Sequence, residues 1–485
     1  MAITPLPIAN GFYISNSLPI SAQQCVNAFP HMPDAPALNQ ETLLGTPGLT
    51  QVATTGSSIV QRNRGGKRFK GNAFFVNGSS LYRLNADESL DNLGTISGSG
   101  RVSMAASATQ LMILNPGGDG YIFTEGPDTL TTIVDPDFRA SGNPLYVVFV
   151  DSFFVCSTDG DKFIQSDPND GLSYNALDFG GAEYEPDNIV APYVFKNQLF
   201  VAGEITTEAF NNVGGADFSF QRTGLFLDKG VSAPFSIVNT ENAVLFVGAG
   251  DNEGPAIWAL EGNITRKAST KAIDSILQRL SAEELGNVFS WSYGQSGHYF
   301  VGFVLPDTCL VFDTASNRWH ERQSRIALPD LAFVTYTYRA NSIVSANGLL
   351  YAADSQDGRI GVLDEDVYTE YGEEILRVFA TQPFQNNMQP FFVPMLELTV
   401  ESGVGNTAAP DPMVRLQQSR DGGKSWSDER ARRMGNVGEY KQRAVWRRNG
   451  RVSRFEVFRF LMSDPVKFVA IQLTAQIEAD TSAAA

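Results

Sequence analysis

Seven times between Gly71 and Glu365, a short apolar run meets a turn of Gly, Asn, Asp or Ser and is answered by a second short apolar run. The copies open with Asn72–Val76 and Leu81–Leu84, then Gln110–Leu114 and Tyr121–Phe123. Ser152–Val155 with Lys162–Ile164 and Asn197–Val201 with Glu208–Phe210 follow. Val244–Val247 with Ile257–Leu260, Tyr299–Gly302 with Leu310–Phe312, and Gly348–Tyr351 with Ile360–Leu363 complete the set. Runs this short, broken by residues that tolerate tight turns, predict β-hairpins. Their spacing of roughly 35 to 55 residues is that of four-stranded propeller blades. A lone hairpin cannot bury its apolar face, so such units stack around a common centre. The expectation is an all-β chain with a β-propeller of six or seven blades over residues 57–370.

The flanks read differently. Residues 1–56 carry Pro5, Pro7, Pro19, Pro30, Pro33, Pro36 and Pro47 among short apolar patches. Proline fixes φ and removes a ladder donor, which predicts an extended arm without a regular central strand, laid against the C-terminal domain. One helix interrupts the repeats: Ala272, Ile273, Ile276, Leu277 and Leu280 fall at helical spacing, with Lys271, Asp274, Gln278 and Arg279 opposite. Ser281-Ala282-Glu283-Glu284 has the form of a capping box opening a second short turn. Such a helix between blades packs on the propeller rim. Beyond Ile375, strand-like patterns at Phe384, Phe391–Val400, Val414–Leu416, Val452–Leu461 and Val469–Leu473 predict a β-sandwich-like ring or docking domain over residues 371–478. Residues 479–485 are small and polar, a disordered tail by composition.

Composition agrees with this outline: 44 Gly, 24 Pro and 33 Phe in 485 residues are the balance of a turn-rich β protein. A net charge of −17 argues against a general nucleic-acid-binding surface. Cys25, Cys156 and Cys309 lie far apart in apolar settings, as buried free thiols of a protein folded in a reducing cytoplasm would. With no charged-then-apolar leader and no run of about 18 apolar residues, neither export by the usual signal nor a bilayer span is expected.

Candidate chemistry is sparse. His31, His298 and His320 are the whole histidine supply, the last following a Trp319 expected to be exposed. No HExxH, CxxC or paired Cys/His spacing occurs, and neither a phosphate loop nor a Gly-x-Ser-x-Gly elbow is present. No catalytic residue, metal or cofactor is therefore expected. Asp159-Gly160-Asp161 with Asp167, and Asp364-Glu365-Asp366, invite a calcium reading. Calcium needs six to eight oxygens about one point, whereas Asp-Gly is what tight hairpins demand, so the turn reading is preferred. Ser419 to Trp426 fits the Asp-box pattern Ser-x-Asp-x-Gly-x-x-Trp and resembles that of sialidases and other propeller glycosidases. Those enzymes carry several copies, one per blade, with an arginine trio and a Tyr/Glu pair. Here a single copy lies outside the repeats, so Ser419, Asp421, Gly423 and Trp426 read as a structural turn: Asp braces the backbone, Gly takes positive φ, Trp packs beneath.

Between Arg415 and Arg459 stand 13 Lys/Arg against five Asp/Glu, in a chain otherwise strongly acidic. A charge run is commonly a solvated face. The alternative is a face built to dock an acidic partner, for which the planar fork of arginine is suited. The residues concerned are Arg430, Arg432, Arg433, Arg443, Arg447, Arg448, Arg451 and Arg454. Aromatic interleaving is limited to Tyr440 and Trp446, which weakens a DNA-binding reading.

Several of these segments together resemble the packaged-DNA stabilisation proteins of short-tailed phages, the tail hub or head-closure factors. The resemblance is carried by Gly98-Ser99-Gly100-Arg101-Val102-Ser103-Met104-Ala105, by Ala272–Leu277 with Ser281–Leu285, and by Arg443–Val452. The opening Pro5-Leu6-Pro7-Ile8, Cys25-Val26-Asn27 and Thr46-Pro47-Gly48-Leu49 fit as well. It implies a non-enzymatic virion protein of the phage tail, made in the bacterial host cytoplasm. It implies a homohexamer beneath a portal dodecamer that extends the channel, retains packaged DNA, and anchors a tail needle or plug and a tailspike or tail fibre adaptor. The competing readings are a propeller glycosidase acting on host surface polysaccharide and a monomeric carbohydrate-binding module. Assembly in the presence of portal separates them.

Overall fold

The computed structural model describes residues 2–480 apart from 183–184, 186, 216–217 and 328–332. Most of the expected disordered tail thus lies outside the described residues; within them the last strand is Val469–Ala479.

Each of the seven hairpins read from the sequence is the middle pair of a four-stranded antiparallel blade. In the first, Asn72–Asn77 and Ser80–Leu84 sit between Asn63–Phe69 and Leu90–Thr95. Four more blades follow in strict chain order over 103–132, 144–181, 189–227 and 238–267. The sixth comprises Phe289–Gln295, His298–Val304, Cys309–Asp313 and Arg318–Ala327. The seventh takes Ala340–Ala346, Leu349–Asp354 and Arg359–Asp364 from its own stretch of chain. Its fourth strand is Gly48–Thr54, with Leu49 opposite Leu363. Middle strands are covered on both faces by neighbouring blades, so Phe74–Val76, Leu111–Leu114 and Val244–Val247 are buried continuously. Apolar runs without alternation are the sequence mark of such two-sided burial.

That closing strand corrects one expectation. Gly48–Thr54 lies inside a six-stranded sheet, between Arg359–Asp364 and Thr369–Glu370, so the proline-rich stretch does contain a central strand. It starts just past Pro47, the last of the prolines, because proline forbids a ladder bond only where it stands. The sheet of the seventh blade therefore crosses residue 56. Earlier parts of the arm join the other end of the molecule. Ala2–Leu6 pairs with Val469–Ala479, and Ala28–His31 and Thr42–Gly45 extend the same sheet. Cys25–Val26 pairs with blade six at Glu321 on one side and with Arg377–Ala380 on the other. One hydrogen-bonded sheet thus runs from the propeller into the C-terminal domain.

That domain is a β-sandwich. One sheet is built on Ala444–Arg447, Phe391–Val400 and Val469–Ala479; the other on Arg377–Ala380, Phe455–Met462, Met413–Ser419 and Arg430–Arg433. Inward-facing Leu396, Leu398, Val414, Leu416, Trp446, Phe458, Phe460 and Leu473 fill the space between them. The helices are Lys271–Leu277 and Ala282–Gly286, the second opened by a reciprocal Ser281–Glu284 capping box. Ile273 and Leu277 pack with Leu245, Ile257 and Trp319 on the fifth and sixth blades. Trp319, expected to be exposed, is buried there, and its indole N–H donates to the Ala268 carbonyl at 3.1 Å. Among the described residues no helix is long and apolar enough to cross a membrane.

Candidate functional site

The basic stretch of the sandwich divides in two. Five of the eight arginines singled out are occupied within the chain. Arg430 donates to Gln418 Oε1 at 2.6 Å and Asn449 Oδ1 at 2.7 Å, and burial pulls its pKa down. Arg432 donates to the carbonyls of Val445 and Ala431, both at 2.7 Å. Arg433 is clamped by Asp411 at 2.6 Å and Glu439 at 3.1 Å. Arg443 forms a two-pronged pair with Glu397, and Arg451 bonds Asp480 at 2.5 Å. The two-point bond to Glu397 raises the pKa of Arg443, as the bond to Asp411 raises that of Arg433. The side chains of Arg447, Arg448 and Arg454 remain exposed with no partner among the described residues.

Strand register places Arg447 on the outer face of one sheet. Arg447, Met395, Gln476 and Ile3 lie abreast across four adjacent strands, and Arg451, Phe392 and Glu478 form a second row. Arg448 takes positive φ in the turn that follows Arg447, while Arg454 precedes the strand Phe455–Met462. Large apolar side chains share this end: Ile3, Met388 and Phe392 are all exposed. A patch combining unpaired arginine with exposed aliphatic and aromatic groups has the composition of a protein–protein contact.

The Asp-box is a turn in geometry as well as in sequence. Asp421 accepts from the backbone N–H of Lys424 at 2.9 Å and of Ser425 at 3.0 Å, and from the Ser425 hydroxyl at 2.5 Å. Ser419 Oγ donates to Asp421 at 2.7 Å and accepts from Gly423 N–H at 2.7 Å. Bonds from the Ser425 hydroxyl and backbone, then from Ser419, hold the Asp421 carboxyl far below the usual carboxylate range. Gly422 and Gly423 take φ of 81° and 97°, and a Cβ on either would strike Pro19 or Ala22 at 2.7 Å. The turn is therefore a seat for the N-terminal arm. Trp426 carries the Arg459 guanidinium 3.9 Å above its ring. The other acidic turns brace backbone too: Asp159 accepts from Asn143 N–H at 2.9 Å and Asp364 from Asp366 N–H at 2.9 Å.

Two constellations were invisible in the sequence because their members are far apart along it. His31 Nδ1 lies 2.8 Å from His298 Nε2, and His298 Nδ1 lies 2.8 Å from Asp313, where the arm crosses blade six. His320 stands nearby, in contact with the Phe29 and Phe300 rings, and burial holds its pKa well below that of a free imidazole. No group of three metal-ligating side chains occurs among the described residues. The other constellation is the wall of the propeller axis, on which Lys67, Arg68 and Arg101 meet. Of these the sequence draws attention only to Arg101, as part of the Gly98–Ala105 segment.

Two family models match the chain. One, described as "Bacteriophage P22 Gp10, beta-propeller", matches residues 4–368. The other, "Bacteriophage P22 Gp10, beta-sandwich", matches residues 376–478. No curated protein matches. Similar solved structures include the WD40 beta propeller domain of Doa1, at 13% identity over 65% of this chain and 97% of that one, with a TM-score of 0.39. YCF48 from Cyanidioschyzon merolae, at 13% identity, covers 65% of this chain and 98% of its own with a TM-score of 0.40. BamB from Moraxella catarrhalis, at 9% identity, covers 65% and 100% with a TM-score of 0.38. At these scores the likeness carries no argument about function.

Proposed function

The chain belongs to the family of bacteriophage P22 Gp10, a structural protein of the phage tail located in the virion, and from that premise we propose that it acts as the tail hub closing a DNA-filled head. In this reading the sandwich docks under the portal dodecamer as part of a homohexamer, and the propeller projects outward. The ring extends the portal channel, retains packaged DNA, and offers seats for a tail needle or plug and a tailspike or tail fibre adaptor. Synthesis in the bacterial host cytoplasm belongs to the same proposal.

The observation that supports this reading best is the outer sandwich face on which exposed, unpaired Arg447 shares a strand row with Ile3 and Phe392 stands in a second row, with Arg448 and Arg454 likewise exposed and unpaired. Such arginines can take carboxylates of an acidic partner in two-point geometry, and the apolar neighbours supply contact area. The charges orient and speed the encounter more than they set the final affinity. The glycosidase alternative has no comparable support, since the Asp421 carboxylate is committed to four hydrogen bonds within its own turn.

The test uses DNA-filled heads lacking this protein. Adding the purified chain should retain the genome, and raising salt toward about 0.5 M should slow attachment as the Debye length falls below about 5 Å. The triple variant R447S/R448S/R454S should keep its fold by circular dichroism while the heads leak DNA. Closure at the wild-type rate by that variant would remove the basic face from the docking account.

A further inference from the structure

The innermost strands of the seven blades enclose an axial cavity of about 680 Å³, inside the range of roughly 300–1,000 Å³ typical of small-molecule sites. Its wall carries Lys67, Arg68 and Arg101 and, among the described residues, no Asp or Glu. The chain as a whole has 53 acidic against 36 basic residues, so an acid-free cationic wall runs against its composition. Hydroxyls of Ser103, Ser290 and Ser292 share the lining.

Arg101 is fixed in place. Its two terminal nitrogens donate to Asn341 Oδ1 at 3.0 Å and to the Asn341 carbonyl at 2.8 Å. Its guanidinium lies 3.8 Å above the Phe289 ring, a stack that fixes its plane. These partners are all neutral. Enclosed by protein without a counter-charge, Arg101 has its pKa pulled down to about 9. Lys67 and Arg68 face water inside the bore and have no partner among the described residues. A pre-set cation held by neutral groups is costly unless an anion completes it.

Spacing narrows the ligand. Gly65 packs directly on Val102, so Lys67 and Arg101 stand three residues apart along neighbouring inner strands, about 10 Å at the usual strand rise. One isolated anion meets one level of this wall, whereas a chain of linked anionic groups reaches both. We propose that the axial cavity binds a small ligand bearing linked phosphates, with Arg101 as the fixed anchor and Lys67 and Arg68 holding the groups further along the axis. The inference does not depend on the tail-hub reading.

Calorimetric titration of the full chain at low salt tests it, with inorganic tripolyphosphate, orthophosphate and adenosine triphosphate as probes. One tripolyphosphate should bind per chain, at least about tenfold more tightly than orthophosphate. The variant K67Q/R68Q changes only exposed side chains and should weaken that affinity about tenfold or more with an unchanged melting temperature; R101Q should do so as well. Tighter binding of adenosine triphosphate than of tripolyphosphate would assign the natural source to a nucleotide, and equal binding to the phosphate chain alone. Absence of binding, indifference to K67Q/R68Q, or loss of binding in R447S/R448S/R454S instead would overturn the proposal.

Discussion

In the C-terminal sandwich thirteen cations crowd one short stretch of sequence, yet Arg433, Arg443 and Arg451 are bound to Asp411, Glu397 and Asp480, and Arg430 and Arg432 to neutral oxygens. In the propeller, Lys67, Arg68 and Arg101 come from two different blades and meet on a wall with no carboxylate. The sandwich stretch is strongly basic along the chain, and five of its thirteen cations, Arg415, Arg420, Arg433, Arg443 and Arg451, are ion-paired in space. Among the propeller's inner strands only Asn63–Phe69 carries Lys or Arg, and closure of the ring sets Arg101 with its Lys67 and Arg68 on one wall. What a region offers to a partner is thus set by which cations lack a counter-charge in space, not by their density along the chain. Arginines on strands find acids on the adjoining strand or at the chain's return, whereas the propeller axis admits only what the inner strands bring to it.

The largest expected effect tests whether the two regions act independently. Trp446 is fully buried, donates to the Arg430 carbonyl at 2.6 Å, and stands edge-on to Phe460. Trp446→Ala should cost the sandwich about 3–5 kcal/mol and appear in calorimetry as a lower-temperature transition. Polyphosphate binding by the propeller should survive; loss of both together would show that the sheet shared through Cys25–Val26 makes them one cooperative unit.

A smaller effect is pH-dependent. Burial pushes Glu456 in the sandwich and Glu370 beside the seventh blade up to about 7. Both folded values lie above the ordinary carboxylate value, so the native state keeps protons that the unfolded chain has already lost. The stability these groups confer is full below about pH 4.5 and is lost as pH rises through about 7, at most roughly 3 kcal/mol each. Urea unfolding at pH 5 and pH 8 should show the decline, and Glu456→Gln should flatten the sandwich's part while leaving that of Glu370.

Two further substitutions sharpen the contrast between committed and free charge. Asp421→Ala dismantles the turn that seats Pro19 and Ala22, so limited proteolysis should cut faster around those residues while the propeller stays resistant. Arg443→Ala breaks an exposed pair of a kind that contributes little; no measurable change in melting temperature is expected. A marked fall would show that the paired arginines do more than neutralise their neighbours.

Much of the fold was legible because two-sided burial writes continuous apolar runs. All seven hairpins, the capping box at Ser281 and the inward-facing residues of Phe391–Val400 could be read directly. Two of the inner strands were not legible, since Gly65-Gly66 and Ser103–Ala106 face an axis rather than a core and carry little apolar signal. The outer strands, such as Thr129–Thr132, face solvent and were equally silent. The closing strand was hidden by the prolines before it. For the candidate docking surface, the arginine run was visible, but which members were spent depended on Asp411, Glu397 and Asp480 being folded back onto them. The axial cations were missed for the same reason, because only closure of the ring brings Lys67 and Arg101 to one wall.

The seventh blade also sets a schedule. Thr55 hydrogen-bonds the Gly358 carbonyl across 303 positions of sequence, next to the ladder that joins Gly48–Thr54 to Arg359–Asp364. Contacts so distant pay their loop entropy before any reward arrives and form late. Until they do, the blades stand in an open arc with apolar faces uncovered at its ends and the seventh blade short of its fourth strand, the state most exposed to misassociation. After closure the same strand becomes the latch: every blade then has two neighbours, and the arc can reopen only by unzipping that ladder. The lifetime of the finished ring is therefore governed by seven residues that precede every other blade strand along the chain.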